Sequence, residues 1–235
     1  MRIAMWSGPR NLSTAMMYAF AQRSDCAVWD EPFYAAYLAA TGLQHPMRDA
    51  VIDQGEVDPE AVITKCLSDR EGHLYLKLMT HHMLPGFRRD WLADVTNVFL
   101  IRHPARAVAS YLAKRENPTL DDLGFRQQAE LFDAVLAMGQ TPLVIDSHEI
   151  REDPEKSLTR LCTALGLEFD PAMLRWPAGG NAADGIWAAH WYPAVHGSTG
   201  FAGPEGDLPE LSGKHAEMCR TAMPFYDRLR ASDGS

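Results

Sequence analysis

The sequence has few cysteines, and none of them are paired in a short motif. Cys26, Cys66, Cys162 and Cys219 lie far apart in 235 residues, with no C-x-x-C spacing. This pattern argues against a zinc ribbon and against a dithiol redox site. A chain of this length buries roughly 70–75% of its unfolded surface, so its core needs no disulfide bonds. We therefore expect reduced core thiols in a cytoplasmic protein.

Long apolar segments are also absent. No stretch reaches the roughly 18 consecutive apolar residues that a membrane-spanning helix needs. The first twenty residues are apolar enough to suggest a signal peptide, but Pro9, Arg10 and Asn11 interrupt them and no clean cleavage site follows. The sequence thus predicts a cytoplasmic protein that does not insert into a membrane.

The chain lacks an excess of positive charge. It carries 22 Lys and Arg against 31 Asp and Glu, a net charge of −9. This balance disfavours non-specific binding to nucleic acid or to an anionic membrane. Hydrophobic residues make up 46% and charged residues 23%, which is ordinary for a globular protein. The length predicts one domain.

Short apolar runs alternate with longer amphipathic stretches. The runs predict strands at residues 2–6, 27–29, 74–78, 97–101 and 143–145. Apolar spacing predicts helices that begin near Asn11 and at Pro104, a helix that carries Leu158 and Leu165 on one face, and a last helix over residues 212–229. Strands this apolar, alternating with helices, indicate a parallel sheet covered on both sides, a three-layer α/β/α fold.

Polar clusters follow the predicted strands. SGPRNLST follows the first strand, DEP the second and RHP the fourth, and Lys77 to His82 covers the end of the third. Ligands bind outside the carboxyl ends of the strands in open parallel sheets. The pattern therefore predicts one functional site at this edge of the sheet.

The segment after the first strand predicts an anion site. A strand, a glycine-containing turn and a helix direct free backbone N–H groups and a helix dipole towards one point. Arg10 adds a planar charge, and Ser13 and Thr14 add hydroxyl donors. The ATP-binding pattern G-x-x-x-x-G-K-[ST] is absent. The alternative is an ordinary turn with a surface arginine.

Two segments together resemble the nucleotide-binding signatures of the sulfotransferase family. WSGPRNLSTAMM resembles the 5′-phosphosulfate loop, with Asn11 and Leu12 in place of the usual Ser-Gly, and IRHPARAVASY is similar to the 3′-phosphate motif. The sequence DEPF, which contains Glu31, resembles a segment of the bacterial and carbohydrate branches. The resemblance implies a P-loop NTPase-like fold. It also implies a set of donor-binding residues: Gly8, Pro9, Arg10, Asn11, Leu12, Ser13, Thr14, Arg102 and Ser110.

The resemblance implies a reaction as well. The donor would be 3′-phosphoadenosine 5′-phosphosulfate, and a sulfuryl group would pass in line to a hydroxyl or amine, without a metal, by positioning and charge stabilisation. Arg10 would stabilise the leaving phosphate, while Arg102 and Ser110 would bind the 3′-phosphate. The acceptor, a small molecule or a carbohydrate, is not identified by the sequence, and neither is the oligomeric state.

Two residues are candidates for the base that takes the acceptor's proton. Glu31 follows the second strand, although a glutamate before proline also suits a helix N-terminus. His81 is the other, although a histidine pair at a strand end is often merely solvated. If residues 74–82 stay extended, Lys77 and His81 share a face and His82 points the other way. Lys77, in an apolar strand, is expected to meet an anion, and it is a further candidate catalytic residue.

The chain divides into a nucleotide-binding core over residues 1–169 and a loop-rich C-terminal part over residues 170–235. Aromatic residues in the loop at 179–203 suggest an acceptor pocket or an adenine-stacking lid, or simply a cover for the core. Two functions compete with the sulfotransferase: a nucleotide-dependent kinase on the same sheet, and a non-catalytic nucleotide-binding protein.

Overall fold

A parallel sheet organises the chain. The computed structural model describes residues 1–113 and 118–232. Within them, five strands pair in parallel in the order β2-β3-β1-β4-β5. The strands are β1 Arg2–Ser7, β2 Cys26–Asp30, β3 His73–Met79, β4 Thr96–Ile101 and β5 Leu143–Asp146.

Helices connect and cover these strands. The α-helices of the first half are α1 Ser13–Phe20, α2 Tyr34–Thr41, α3 Arg48–Gln54, α4 Pro59–Cys66 and α5 Pro104–Leu112. Those that follow are α6 Leu120–Leu123, α7 Phe125–Ala137, α8 Ser147–Glu152, α9 Pro154–Ala164, α10 Ala188–Trp191, α11 Pro193–His196 and α12 Gly213–Arg230. Short 3₁₀ turns lie at Thr80–His82, Asp90–Asp94 and Pro171–Leu174. In the described part of the chain, no helix combines the length and the apolar character needed to cross a bilayer.

Alternate residues of the strands face opposite layers of helices. In β1, Ile3 and Met5 belong to the cluster that includes α1 and α9. Ala4 and Trp6 belong to the cluster formed with α4, α7 and α12. Because successive strand residues point to opposite faces, this partition requires helices on both sides of the sheet. The three-layer α/β/α prediction is confirmed.

The structure departs from the sequence-based predictions mainly at the ends of elements. The first helix begins at Ser13, two residues later than predicted, because Leu12 adopts a left-handed conformation with φ 66°. The region after Asp170 is not made of loops alone. It contains a 3₁₀ turn and α11, each of which begins with a proline in its first turn, and also α10. Proline suits this position because a helix needs no N–H donor there.

The strand order places the candidate residues next to one another. β1 is the central strand of the sheet: β3 and β2 lie on one side of it, and β4 and β5 lie on the other. The loop after β1 is packed closely against the C-terminal end of α6: a Cβ on Gly8 would lie 2.4 Å from the carbonyl oxygen of Leu123. Gly8 is therefore required for this close approach, and the cleft lining begins at Pro9.

Candidate active site

The loop between β1 and α1 is held in a strained conformation. Arg10 and Leu12 have φ values of 61° and 66°, which non-glycine residues seldom adopt. Such strain is concentrated at functional sites, where the surrounding structure fixes it. The Nδ2 group of buried Asn11 donates a hydrogen bond of 2.5 Å to the carbonyl of Leu100, which fastens the loop to β4. Asn11 thus positions the loop.

The N-terminus of α1 carries no side-chain cap and no acidic residue in its first turn. Ser13, Thr14 and Ala15, at its start, line a cleft of about 620 Å³ at the carboxyl edge of the sheet. The first N–H groups of a helix have no partner within the helix and carry partial positive charge. This end of α1 therefore suits an anion in the cleft.

Arg10, Arg102 and Ser110 line the same cleft, and Ser110 also contacts Arg10. The Nε group of Arg10 donates a hydrogen bond of 3.1 Å to Oγ of Ser110, on α5. Arg102 donates through Nη1 to the carbonyl of Arg10. Burial lowers the pKa of Arg10, and the nearby charge of Arg102 acts in the same direction. The two predicted anion-binding segments are therefore in direct contact.

Arg102 also belongs to a second cluster that the sequence did not suggest. Its Nη2 group pairs with the carboxylate of Glu205, in the loop before α12. Arg151 Nη1 lies 3.0 Å from the same Oε1 atom, and Arg106 Nε lies 3.4 Å from Oε2. The Glu205 side chain is only 5% exposed. Three guanidinium groups thus surround one buried carboxylate.

Glu31 and Lys77 form the centre of a buried polar cluster at the ends of β2 and β3. The Nζ group of Lys77 donates to Oδ1 of Asp30 at 2.9 Å and to Oε1 of Glu31 at 2.5 Å. It also donates to the hydroxyl of Tyr192 at 2.5 Å, and that hydroxyl lies within 3.1 Å of both acids. Glu31 has a left-handed φ of 43°. The prediction that Lys77 meets an anion is confirmed.

The cluster holds two carboxylates and one ammonium group. Burial raises the pKa of Glu31, and Lys77 offsets this only in part. Burial acts to lower the pKa of Lys77, but Asp30 and Glu31 outweigh it, so the net direction is upward. The ammonium group therefore stays charged, and Glu31 binds a proton more readily than an exposed glutamate does. Such a carboxylate is suited to act as a general base.

The expectation that the chain stays extended through residues 74–82 is wrong at the histidine pair. β3 ends at Met79, and Thr80–His82 forms a 3₁₀ turn, so His81 does not share a strand face with Lys77. His81 lines the cleft. His82 is buried, and its Nδ1 atom lies 3.9 Å from Oε2 of Glu31.

Two tyrosines of α2 hold His82 between their rings. The ring centroids of Tyr34 and Tyr37 each lie 4.7 Å from that of His82. Burial lowers the pKa of His82 well below its ordinary value, and the nearby histidines and Lys77 act in the same direction. A neutral imidazole therefore lies beside the candidate base, whereas an extended strand would direct it to the opposite face.

The C-terminal loop contributes to the cleft as well as to the core. His190 and Trp191 line the cleft, and Tyr192 covers Lys77. Phe201 instead packs against the buried ring of Trp176. The aromatic composition of residues 179–203 was the only sequence signal for Tyr192, and no signal singled out Arg151 or Glu205. The described residues contain no group of three His, Cys, Asp or Glu side chains arranged to hold a metal ion.

Comparisons with known proteins bear on the whole chain. The profile of a family described as "Sulfotransferase domain" matches residues 1–233. "Branched-chain-amino-acid aminotransferase-like protein 1" from Arabidopsis thaliana is 36% identical over 231 residues, 97% of this chain and 41% of that protein. The related protein 2 is 34% identical over 230 residues, with the same coverage. The chain thus spans about two fifths of the length of these curated relatives.

Solved structures with a similar fold include sulfotransferases from bacteria. The "Sulfotransferase Domain from the Synechococcus PCC 7002 Olefin Synthase" has a TM-score of 0.53 and 18% identity, with 93% of each chain covered. The sulfotransferase from Alicyclobacillus acidocaldarius has a TM-score of 0.53 and 13% identity, with 97% of this chain and 94% of that chain covered. At these identities the likeness concerns the fold.

Proposed function

The chain belongs to the sulfotransferase domain family, and we propose that it transfers a sulfuryl group from 3′-phosphoadenosine 5′-phosphosulfate to a hydroxyl or amine of a small-molecule or carbohydrate acceptor. The observation that carries this proposal is the shared cleft, which Arg10 and Arg102 both line, with Glu31 also at its wall. A cytoplasmic location stays a prediction from the sequence.

The residues present fit a donor with two anionic groups. The uncapped N-terminus of α1, together with Arg10, provides one set of anion-binding groups. Arg102 and Arg151 line the cleft near this set and provide a second. A cleft of about 620 Å³ is also within the range of small-molecule sites, roughly 300–1,000 Å³.

The chain's own residues would contribute positioning and charge. When bound, the donor would supply the sulfuryl group and a phosphate leaving group. Arg10 would neutralise charge that grows on the leaving oxygen, in a partly buried site where such stabilisation is strong. The hydroxyls of Ser13 and Thr14 would hold the same group. Arg102 would orient the nucleotide through its second phosphate.

Glu31 would remove the acceptor's proton. Its Oε1 atom accepts hydrogen bonds from Lys77 and Tyr192, so Oε2 is the atom assigned to the proton. Lys77 would keep the carboxylate in place without taking part in the transfer. Neutral His82, 3.9 Å from Oε2, would lie beside the incoming proton.

Nucleotide binding to an Arg102→Ala variant tests the donor assignment. We expect this change to weaken binding of adenosine 3′,5′-bisphosphate at least about tenfold and to leave AMP little changed, because a charge-assisted phosphate contact is lost. Isothermal titration calorimetry measures both affinities. Arg70→Ala is the control, since Arg70 is exposed and lies outside the cleft lining.

Two outcomes would contradict the donor assignment. An unchanged ratio of the two affinities in the Arg102 variant would show that Arg102 does not bind the second phosphate. Thermal stabilisation of the wild-type protein by ATP with Mg²⁺, but not by the bisphosphate nucleotide, would instead favour a kinase.

A further inference from the structure

Three arginines from different parts of the fold bind the loop that carries Glu205. Arg102 follows β4, Arg106 lies on α5 and Arg151 lies on α8. Besides pairing with the carboxylate, two of them bind the loop's backbone. Arg106 Nη2 donates to the carbonyl of Gly206 at 2.5 Å, and Arg151 Nε donates to that of Gly203 at 2.7 Å. Glu205 is thus buried although residues 202–204 and 206–208 are exposed.

The Glu205 carboxylate neutralises only part of the positive charge of these three arginines. Three guanidinium groups carry three positive charges, and Glu205 supplies one negative charge. Its Oε2 atom and the Nε group of Arg102 are buried without a hydrogen-bond partner in the described chain. A phosphate monoester carries about 1.5 to 2 negative charges near neutral pH and three acceptor oxygens. It would therefore satisfy the three arginines better than a carboxylate does.

The cluster is also continuous with the donor cleft. Arg102 and Arg151 line that cleft, and Arg102 donates to the carbonyl of Arg10 in the loop after β1. Glu205 pairs with both Arg102 and Arg151, so a phosphate that binds them from the cleft would compete with its carboxylate. Since the Glu205 carboxylate already pairs with the Nη2 group of Arg102, a phosphate cannot form the same ion pair at the same time.

We propose that Glu205 is an internal ligand of the donor's 3′-phosphate subsite, formed by Arg102, Arg106 and Arg151, and that the phosphate must displace it to bind. This inference rests on the proposed function. Glu205 acts as a tethered competitor, so it lowers the apparent affinity for a 3′-phosphorylated nucleotide by the fraction of time it occupies the arginines. After the reaction, its return would help to expel the bisphosphate product.

Titrations of a Glu205→Gln variant with adenosine 3′,5′-bisphosphate and with AMP test the proposal. We expect about tenfold tighter binding of the bisphosphate, which corresponds to occupancy of the arginines by Glu205 for about nine tenths of the time. AMP affinity should stay within about twofold, because AMP has no 3′-phosphate to compete. Glu210→Gln is the matched control: Glu210 is exposed in the same loop and should behave as wild type.

The outcomes separate the inference from the proposed function. If the wild-type protein binds the bisphosphate as tightly as the Glu205 variant or more tightly, Glu205 is not a competitor and the inference fails alone. If neither protein binds it, the proposed function fails as well. If the variant loses affinity for both nucleotides, Glu205 is a positioning residue and the inference is overturned.

A stability measurement covers the case of a poorly folded variant. Loss of the carboxylate leaves three guanidinium groups close together, so Glu205→Gln should lower Tm. Inorganic phosphate should then raise the Tm of the variant more than that of the wild-type protein, because only the variant has an open anion site. An equal rise in both proteins would overturn the proposal.

Discussion

Glu31→Gln is expected to lower kcat by about 10²–10⁴-fold, the usual contribution of a general base. The amide cannot accept the acceptor's proton, but it has nearly the size of the carboxylate. Affinity for adenosine 3′,5′-bisphosphate should stay unchanged, since the Glu31 side chain contacts Lys77 and Tyr192 rather than the arginines. The value of kcat is measured from the release of the bisphosphate product. The acceptor in this assay is a phenol or monosaccharide that the wild-type protein turns over.

The pH profile is a second readout of the same substitution. Burial raises the pKa of Glu31, and only the deprotonated form can act as a base. Activity of the wild-type protein should therefore fall as the pH drops through a value above the ordinary range of glutamate. The control variant Glu71→Gln, at an exposed position, should show the same loss of activity at low pH. If Glu31→Gln also shows this loss and His81→Gln does not, His81 is the base instead.

Lys77→Met is expected to cost about 3–5 kcal/mol of stability, because removing one partner of a buried charge cluster leaves the others uncompensated. Asp30 and Glu31 would face each other with no cation between them, in a site where the Lys77 side chain is 1% exposed. Methionine keeps the length of the apolar stem. At roughly 2–4 °C per kcal/mol for a chain of this size, Tm should fall by roughly 6–20 °C.

The double variant Asp30→Asn/Lys77→Met is the control. It removes one acid together with the cation, so we expect it to recover at least half of the lost stability. In the single variant, Glu31 loses the cation that opposes the effect of burial, so its pKa should lie further above that of the unfolded chain. Stability would then be retained at acid pH and lost as the pH rises towards this raised pKa. Urea unfolding at pH 7 measures the free energy of unfolding. A value for Lys77→Met within about 1 kcal/mol of the wild-type value would contradict this account.

The sheet could be predicted because each strand is a short apolar run that ends in a polar cluster. Lys77 carried a further signal, since a lysine inside such a run requires an anion, and Asp30 and Glu31 provide it. The end of β3 could not be placed in the same way. Nothing in the local sequence shows that Thr80–His82 leaves the extended conformation, and that turn decides which histidine approaches Glu31.

The partners of the arginines could not be predicted because they lie far away in the sequence. Arg10 meets Ser110 across 100 residues, and Arg102 meets Glu205 across 103. Both contacts depend on how loops pack over the sheet, which neither hydrophobic periodicity nor motif spacing describes. Tyr192, in a loop of mixed aromatic residues, is a similar case: its hydroxyl completes the Lys77 cluster from 115 residues away.

A structure of the protein with adenosine 3′,5′-bisphosphate tests most directly whether one nucleotide spans both anion-binding segments. The account predicts one phosphate within hydrogen-bonding distance of Arg10 and Ser13. It predicts the other phosphate at Arg102, with the Glu205 carboxylate moved away. A nucleotide that binds outside this cleft, or that leaves Arg102 paired only with Glu205, would contradict it.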